Sequence, residues 1–221
     1  SSTMAETAKA DSTTRTVERA LSLLSVVCRQ GAVTQSEAAK AAGLSTSTAL
    51  RLLRTLEGTD FLRREESGTY RPGPAIVQLG VLALSSESLV ATYRDAMDRI
   101  VDQTGESTYL SIPAAGGHGL YIAISEGTQS VRHANWVGRR FDLETSAAGK
   151  AMRGEVDGTA CAVVSDGVEP DITAIAVPLT AGGKAVAAMS VVVPSYRITP
   201  GRVKDISQIL ATETAAVHAF G

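Results

Sequence analysis

The stretch A-A-G-L-S-T-S-T-A-L-R-L-L-R-T-L, residues 41–56, sets two short helical patterns one glycine apart, and this constrains the fold more than any other feature of the chain. A helix over 35–42, capped by Thr34, turns Ala38, Ala41 and Leu44 inward and stops at Gly43. Ser45 caps the next, which runs to about Glu57 with Ala49, Leu52, Leu53 and Leu56 as its buried stripe. Ser47, Arg51, Arg54 and Gly58 then fall on the outward face. Upstream, Val17, Ala20, Leu21, Leu24, Val27 and Cys28 recur every three or four positions between a cap at Thr16 and a stop at Gly31. The whole reads as a helix-turn-helix whose last helix is polar at its start and basic outward.

Two strand-like runs follow, 61–64 and 69–71, joined by Glu65-Glu66-Ser67-Gly68. Beside a helix-turn-helix, such a hairpin is a wing. Hydroxyls and arginines at a helix start reach base edges, and arginines on a wing pair with phosphates. The plain alternative for Arg51 and Arg54 is helix solubility; their coincidence with the glycine turn, the polar helix start and the wing argues against it. Glu65 and Glu66 read as solvated turn acids.

A formal charge of −2 over 221 residues speaks against a nucleic-acid binder only as a total. Residues 1–72 carry 10 basic against 8 acidic side chains, residues 73–221 carry 11 against 15, and the window 15–64 carries 8 against 4. The basic excess sits where a small domain would meet phosphate. With 44% apolar and 20% charged residues the chain is not a largely disordered one. No apolar stretch approaches the roughly 20 residues of a membrane span, and the first residues lack a signal-peptide core, so a cytoplasmic protein is expected. Cys28 and Cys161 form neither a disulfide framework nor a zinc pattern.

Beyond Pro72 and Pro74, Ile76, Val77, Leu79, Gly80, Leu82 and Ala83 predict a short apolar linker helix, fit to pair with a second subunit. Ser86 or Ser88 caps a longer helix to Thr104, with Leu89, Val90, Tyr93, Ala96, Met97, Ile100 and Val101 on one side and Gly105 as its stop. Strands are expected over 108–113, 120–125, 131–133, 160–165, 172–179 and 186–193, and Thr199-Pro200 opens a last helix carrying Val203, Ile206, Leu210, Glu213 and Val217. Strands enclosed by helices make the fold class α+β. Within this part, Thr145-Ser146-Ala147-Ala148-Gly149-Lys150 is a hydroxyl-capped, small-residue helix start: either a place where a carboxylate meets free amides, or a tight helix–sheet contact. His118, His133 and His218 are isolated, and Gly182-Gly183-Lys184 is a hairpin turn rather than a phosphate loop. Trp136 reads as core, and no nucleophile elbow or dinucleotide fingerprint is present.

T-V-E-R-A-L-S-L-L, L-S-T-S-T-A-L-R-L-L-R-T-L and T-S-A-A-G-K-A with I-A-V-P-L and A-A-M-S-V resemble the IclR family of bacterial transcription regulators, from Thr16 to about Phe220. The resemblance implies a disordered tail at 1–14, a winged helix-turn-helix at 15–73, a linker helix at 74–86 and a GAF-like antiparallel sheet flanked by helices at 87–221. It implies a regulator, a repressor of catabolic or metabolic genes, binding operator DNA as a homodimer or a tetramer (a dimer of dimers), with no cofactor, metal or enzyme activity. Lys40, Ser45, Thr46, Ser47, Thr48, Arg51, Arg54, Arg63 and Arg64 are the DNA-binding candidates. A small-molecule effector, such as a carboxylate, would meet Leu143, Thr145, Ser146, Ala147, Ala148, Gly149, Asp166, Ala174 and Ser190. Departures stand at Phe141-Asp142-Leu143-Glu144, at Ala174 where the family often has cysteine, at Val192 where it often has a hydroxyl, and between Lys150 and Ala160, which is much shorter than in relatives. An altered, more apolar or more open effector site follows. The competing readings are a winged-helix module for protein partners, and a GAF-like domain or enzyme with no such effector.

Overall fold

In the computed structural model, which describes residues 2–85, 88–129 and 133–217, the chain forms two compact units, residues 1–83 and 84–221. Each has its own apolar core. None of the described helices is long and apolar enough to cross a membrane.

The first unit holds α1 (Ser2–Gln30), α2 (Gln35–Ala42), α3 (Thr46–Gly58) and the hairpin β1 (Leu62–Arg64) and β2 (Tyr70–Pro72). Thr34 and Glu37 make a reciprocal capping box at the start of α2. Gly43 ends α2 at φ 66°, a left-handed conformation that glycine adopts without Cβ strain, and Leu44 N–H returns to the Ala39 carbonyl at 2.9 Å. Leu23, Val27, Val33, Ala38, Ala49, Leu53, Leu62 and Tyr70 close the core. An isolated bridge between Val33 and Tyr70 ties the wing to the α1–α2 connection.

Two expectations for α1 are corrected. The helix begins at Ser2, through the segment read as a disordered tail over 1–14: no glycine or proline interrupts residues 1–30. Thr16 is no cap, since its hydroxyl donates to the Ser12 carbonyl one turn back at 3.0 Å. The buried face is Leu23, Leu24 and Val27, whereas Val17 and Leu21 are 55% and 57% exposed and Cys28 is exposed. The apolar stripe of α1 is therefore wider than its own unit covers. Helix α4 (Pro74–Ser85) carries the expected linker, with Ile76 packed on this core and Val77, Leu79 and Leu82 exposed.

The second unit holds α5 (Ser88–Thr104), β3 (Ser107–Ala114), β4 (His118–Ser125), β5 (Arg140–Asp142), α6 (Ala147–Met152), β6 (Ala162–Ser165), β7 (Ile172–Ala181), β8 (Lys184–Pro194) and α7 (Pro200–Ala215). All strand pairs are antiparallel, in the order β5-β4-β3-β8-β7-β6. Alternation divides β7 and β8 between two faces. Ile175, Val177, Leu179, Met189, Val191 and Val193 pack with Tyr93, Met97 and Ile100 of α5 and with Ile206 and Leu210 of α7. Arg99 and Gln103 join these two helices by both reaching the Glu213 carboxylate, at 2.7 and 2.9 Å. On the other face Ala176, Ala188 and Val192 meet α6 and an aromatic cluster.

The expected strands at 108–113, 120–125, 160–165, 172–179 and 186–193 are present with shifted ends, and the Thr199 cap and N1 proline of α7 are as read. The strand expected at 131–133 falls on residues of which 131 and 132 lie outside the description, and His133 is not in a strand. The Ser86 cap also lies outside it, while Ser88 is the first residue of α5. Strand β5 was not foreseen, because three residues with one inward side chain, Phe141, leave no alternation to read.

Candidate nucleic-acid interface and ligand face

The Ser45 hydroxyl accepts the Thr48 N–H at 3.3 Å and donates to Thr48 Oγ1 at 2.9 Å, so both hydroxyls are engaged in capping α3. Thr46 and Ser47 stand exposed in the first turn. Ser47, Arg51 and Arg54, with Leu50 and Thr55, line one concave patch on the outward face, opposite buried Ala49, Leu52 and Leu53. Lys40 is exposed on the last turn of α2. The patch combines hydroxyls at a helix start with two guanidinium groups one turn further on, a chemistry that suits base edges and phosphates.

The wing keeps both expected arginines exposed and adds a residue. Arg63 and Arg64 are successive strand residues and point to opposite faces. Register places Arg63 opposite Arg71 and Arg64 opposite Tyr70. Arg71 was not among the candidates; counting outward from the Glu65–Gly68 turn, back to Arg63 and forward to Arg71, would have found it. Glu65, read as a solvated turn acid, lies 2.5 Å from Arg71 Nε.

In the second unit the effector candidates separate. Ser146 is 1% exposed and caps α6, its hydroxyl accepting the Gly149 N–H at 3.1 Å. Ala147, Ala148 and Gly149 are buried, and a Cβ on Gly149 would stand 1.7 Å from the Leu143 carbonyl oxygen. The small residues thus serve a close helix contact, the plainer of the two sequence readings. Leu143 is half-buried at the rim. Thr145 is exposed and donates to the Gly167 carbonyl at 3.4 Å. Asp166 is exposed too, and its carboxylate accepts the Asp171 N–H at 2.7 Å, closing the β6–β7 turn. Neither side chain joins the buried group.

What does gather is Ser146 to Gly149, Ala174 and Ser190 on the α6 face of the sheet. Ser190 pairs with Tyr109 on one side and Ala176 on the other, so the three side chains share that face. Its hydroxyl is buried with no hydrogen-bond partner in the structure. Such a group costs roughly 1–3 kcal/mol unless something satisfies it. Beside it Tyr109, Tyr121, Trp136 and Phe141 pack ring on ring, with centroids 4.2–5.4 Å apart. Trp136 is core, as its sequence context predicts, and its indole N–H donates to the Glu169 carboxylate at 2.9 Å.

The Tyr109 hydroxyl oxygen accepts the Trp136 backbone N–H at 3.0 Å and meets His133 Nε2 at 2.7 Å. Burial pushes the Tyr109 hydroxyl up to about 12 and that of Tyr121 further up, and it pushes the His133 imidazole down. A neutral imidazole accepting the phenolic proton satisfies both rings. The aromatic group escaped sequence reading because its members come from β3, β4, the 133–139 connection and β5; only the strand alternation at Tyr109 and Tyr121 pointed inward.

Two family models match: the IclR helix-turn-helix domain over residues 16–66 and the bacterial transcriptional regulator IclR C-terminal over 81–157. The acetate operon repressor of Salmonella typhimurium is 29% identical over 151 residues, which are 67% of this chain and 55% of that protein. The chain thus spans about half the length of the curated relatives it matches. An IclR transcriptional regulator from Alicyclobacillus acidocaldarius has the same fold, with a TM-score of 0.81 at 22% identity over 93% of this chain and 98% of that one. So does an IclR homolog from Microbacterium hydrocarbonoxydans solved with 4-hydroxybenzoate, at a TM-score of 0.68 and 20% identity over 91% and 99%. With both units matched by family models, the chain belongs to the IclR family of bacterial transcriptional regulators.

Proposed function

We propose that this chain is a sequence-specific DNA-binding repressor of metabolic genes whose grip on an operator is controlled by a small molecule in the second unit. The observation that carries the reading is the outward face of α3, where Ser47, Arg51 and Arg54 stand exposed over a helix otherwise anchored by Ala49, Leu52 and Leu53. Thr46 and Ser47 contact the duplex at the helix start, Ser45 and Thr48 hold that start in shape, and Lys40, Arg63 and Arg64 serve phosphates. The repressor sign is supported by the acetate operon repressor among the relatives.

The effector occupies the face of Ser190, Ala174 and α6. Its support is the orphaned Ser190 hydroxyl, and a homolog of this fold was solved with a carboxylate, 4-hydroxybenzoate. Ala174 and Val192 make this face more apolar, and a passage of only residues 153–161 between α6 and β6 leaves its wall short on that side. A second copy of the chain covers α4, a charge-free helix with Val77, Leu79 and Leu82 exposed at 57%, 49% and 57%. An apolar helix of 12 residues gains little stability alone in water, so a partner helix supplies its burial.

The experiment is fluorescence anisotropy of the protein with labelled duplex from upstream of its own gene, against a scrambled duplex, over a range of salt. Selective binding that weakens linearly in log salt supports the reading. Absence of binding to either duplex refutes it and favours a winged module for protein partners.

A further inference from the structure

The wing holds three charged side chains on one face. Arg63 and Arg71 are directly opposed across the β1–β2 ladder, and Glu65, two residues after Arg63, shares their side. Opposed side chains in such a pair have Cβ atoms roughly 4.5–5.5 Å apart, so two guanidinium groups there repel each other. The Glu65 carboxylate at 2.5 Å from Arg71 Nε offsets that repulsion. The two side chains are partly exposed, at 41% and 38%, although Arg71 Nε itself is buried, so a competing anion would meet the terminal amino groups of the guanidinium. The turn that presents Glu65 is closed by its own backbone: Glu65 N–H bonds the Thr69 carbonyl and Gly68 N–H bonds the Glu65 carbonyl, both at 2.9 Å. Glu66, the neighbouring acid, is exposed in the turn itself.

We infer that Arg71 is a latent phosphodiester-binding residue of the wing, held off the duplex by Glu65, so that Glu65 sets how tightly the wing grips DNA of any sequence. The inference rests on the DNA-binding reading above. The chemistry is a competition for one guanidinium between an internal carboxylate and a backbone phosphate. Arg71 has five N–H donors in a fixed fork, and a carboxylate and a phosphate oxygen pair both fit it. Because backbone contacts supply non-specific affinity, an occupied Arg71 lowers binding to all sequences alike while base readout by α3 is untouched.

The test is a double-mutant cycle on the full chain with a mixed-sequence 30-base-pair duplex, read by anisotropy between about 50 and 300 mM KCl. Glu65→Gln keeps the side-chain shape and removes the charge. It is expected to raise affinity about three- to tenfold at the low-salt end and to steepen the slope of log affinity against log salt by about 0.9 for each wing engaged. Arg71→Ala alone is expected to change little, and Glu65→Gln in the Arg71→Ala background to gain nothing in slope. Glu66→Gln, which removes the same charge without freeing Arg71, sets the general charge effect. Unchanged binding by Glu65→Gln, or a gain that persists without Arg71 or is equalled by Glu66→Gln, overturns the inference and leaves the DNA-binding reading standing. No duplex binding by the unaltered protein overturns both.

Discussion

Gly149→Ala isolates the contact on which the second unit's ligand face is built. A Cβ at this position would lie 1.7 Å from the Leu143 carbonyl oxygen and 2.4 Å from its carbon, where real contacts stay beyond 3.0 Å, so backbone must separate by more than 1 Å. Leu143 is not free to give way, because its carbonyl accepts the Arg153 guanidinium and its N–H bonds the Gly117 carbonyl at 3.1 Å. Helix α6 is blocked on its other side by Ala162 and Ala176 of the sheet, both buried. Overpacking of this kind costs about 3 kcal/mol, the upper end of the usual range, since backbone rather than a side-chain tip is struck. The assay follows from the two-unit organisation: Trp136, the only tryptophan, reports the second unit, while far-ultraviolet circular dichroism carries the helices of the first as well. Urea titration is expected to move the fluorescence midpoint down by about 1–3 M, at a slope of about 1–3 kcal/mol per molar. A shift worth less than about 1 kcal/mol would refute the reasoning and return α6 to the category of loosely packed helices.

Ser190→Ala should hold or raise stability, by up to about 1 kcal/mol, since it removes an unsatisfied buried hydroxyl, while abolishing the effector's influence on DNA release; a destabilised variant would mean that the hydroxyl has a structural partner. Tyr109 ionises later in the fold, at about 12, than in the unfolded chain at about 10, so its contribution is complete below pH 10 and is lost as pH rises through 12. Absorbance at 295 nm should show its delayed ionisation. His133 acts at the acid end: its depressed pKa means that the unfolded chain binds the proton first, so stability falls as pH drops below about 6.5, and His133→Gln should flatten that limb of a stability–pH curve. If a second copy covers α4 as proposed, Leu82→Asp with Val77→Asp should lower the mass seen in sedimentation while unit melting is retained; an unchanged mass would place any subunit contact elsewhere.

The parts of the fold that repeat along the chain were legible in the sequence. Gly43 between two caps, the α5 stripe from Leu89 to Val101 and the Thr199-Pro200 start of α7 each state their structure within a few residues, because caps and helical periodicity are local. What failed was non-local. Val17 and Leu21 have helical spacing yet are 55% and 57% exposed, so periodicity alone named them core. The Tyr109–Tyr121–Trp136–Phe141 cluster, and Glu65 on Arg71, arise from register and from loops meeting a sheet, which no single window of sequence displays.

The central claim is that the outward face of α3 reads DNA, and the most direct measurement is the affinity of Arg51→Ala/Arg54→Ala for the chain's own upstream duplex. Both side chains are exposed and neither supports the core, so helicity and Trp136 fluorescence should stay as they are. At about 1–3 kcal/mol for each arginine contact, the account predicts a loss of about 30-fold or more, with a shallower salt slope. Unchanged affinity and slope in a folded variant would contradict it.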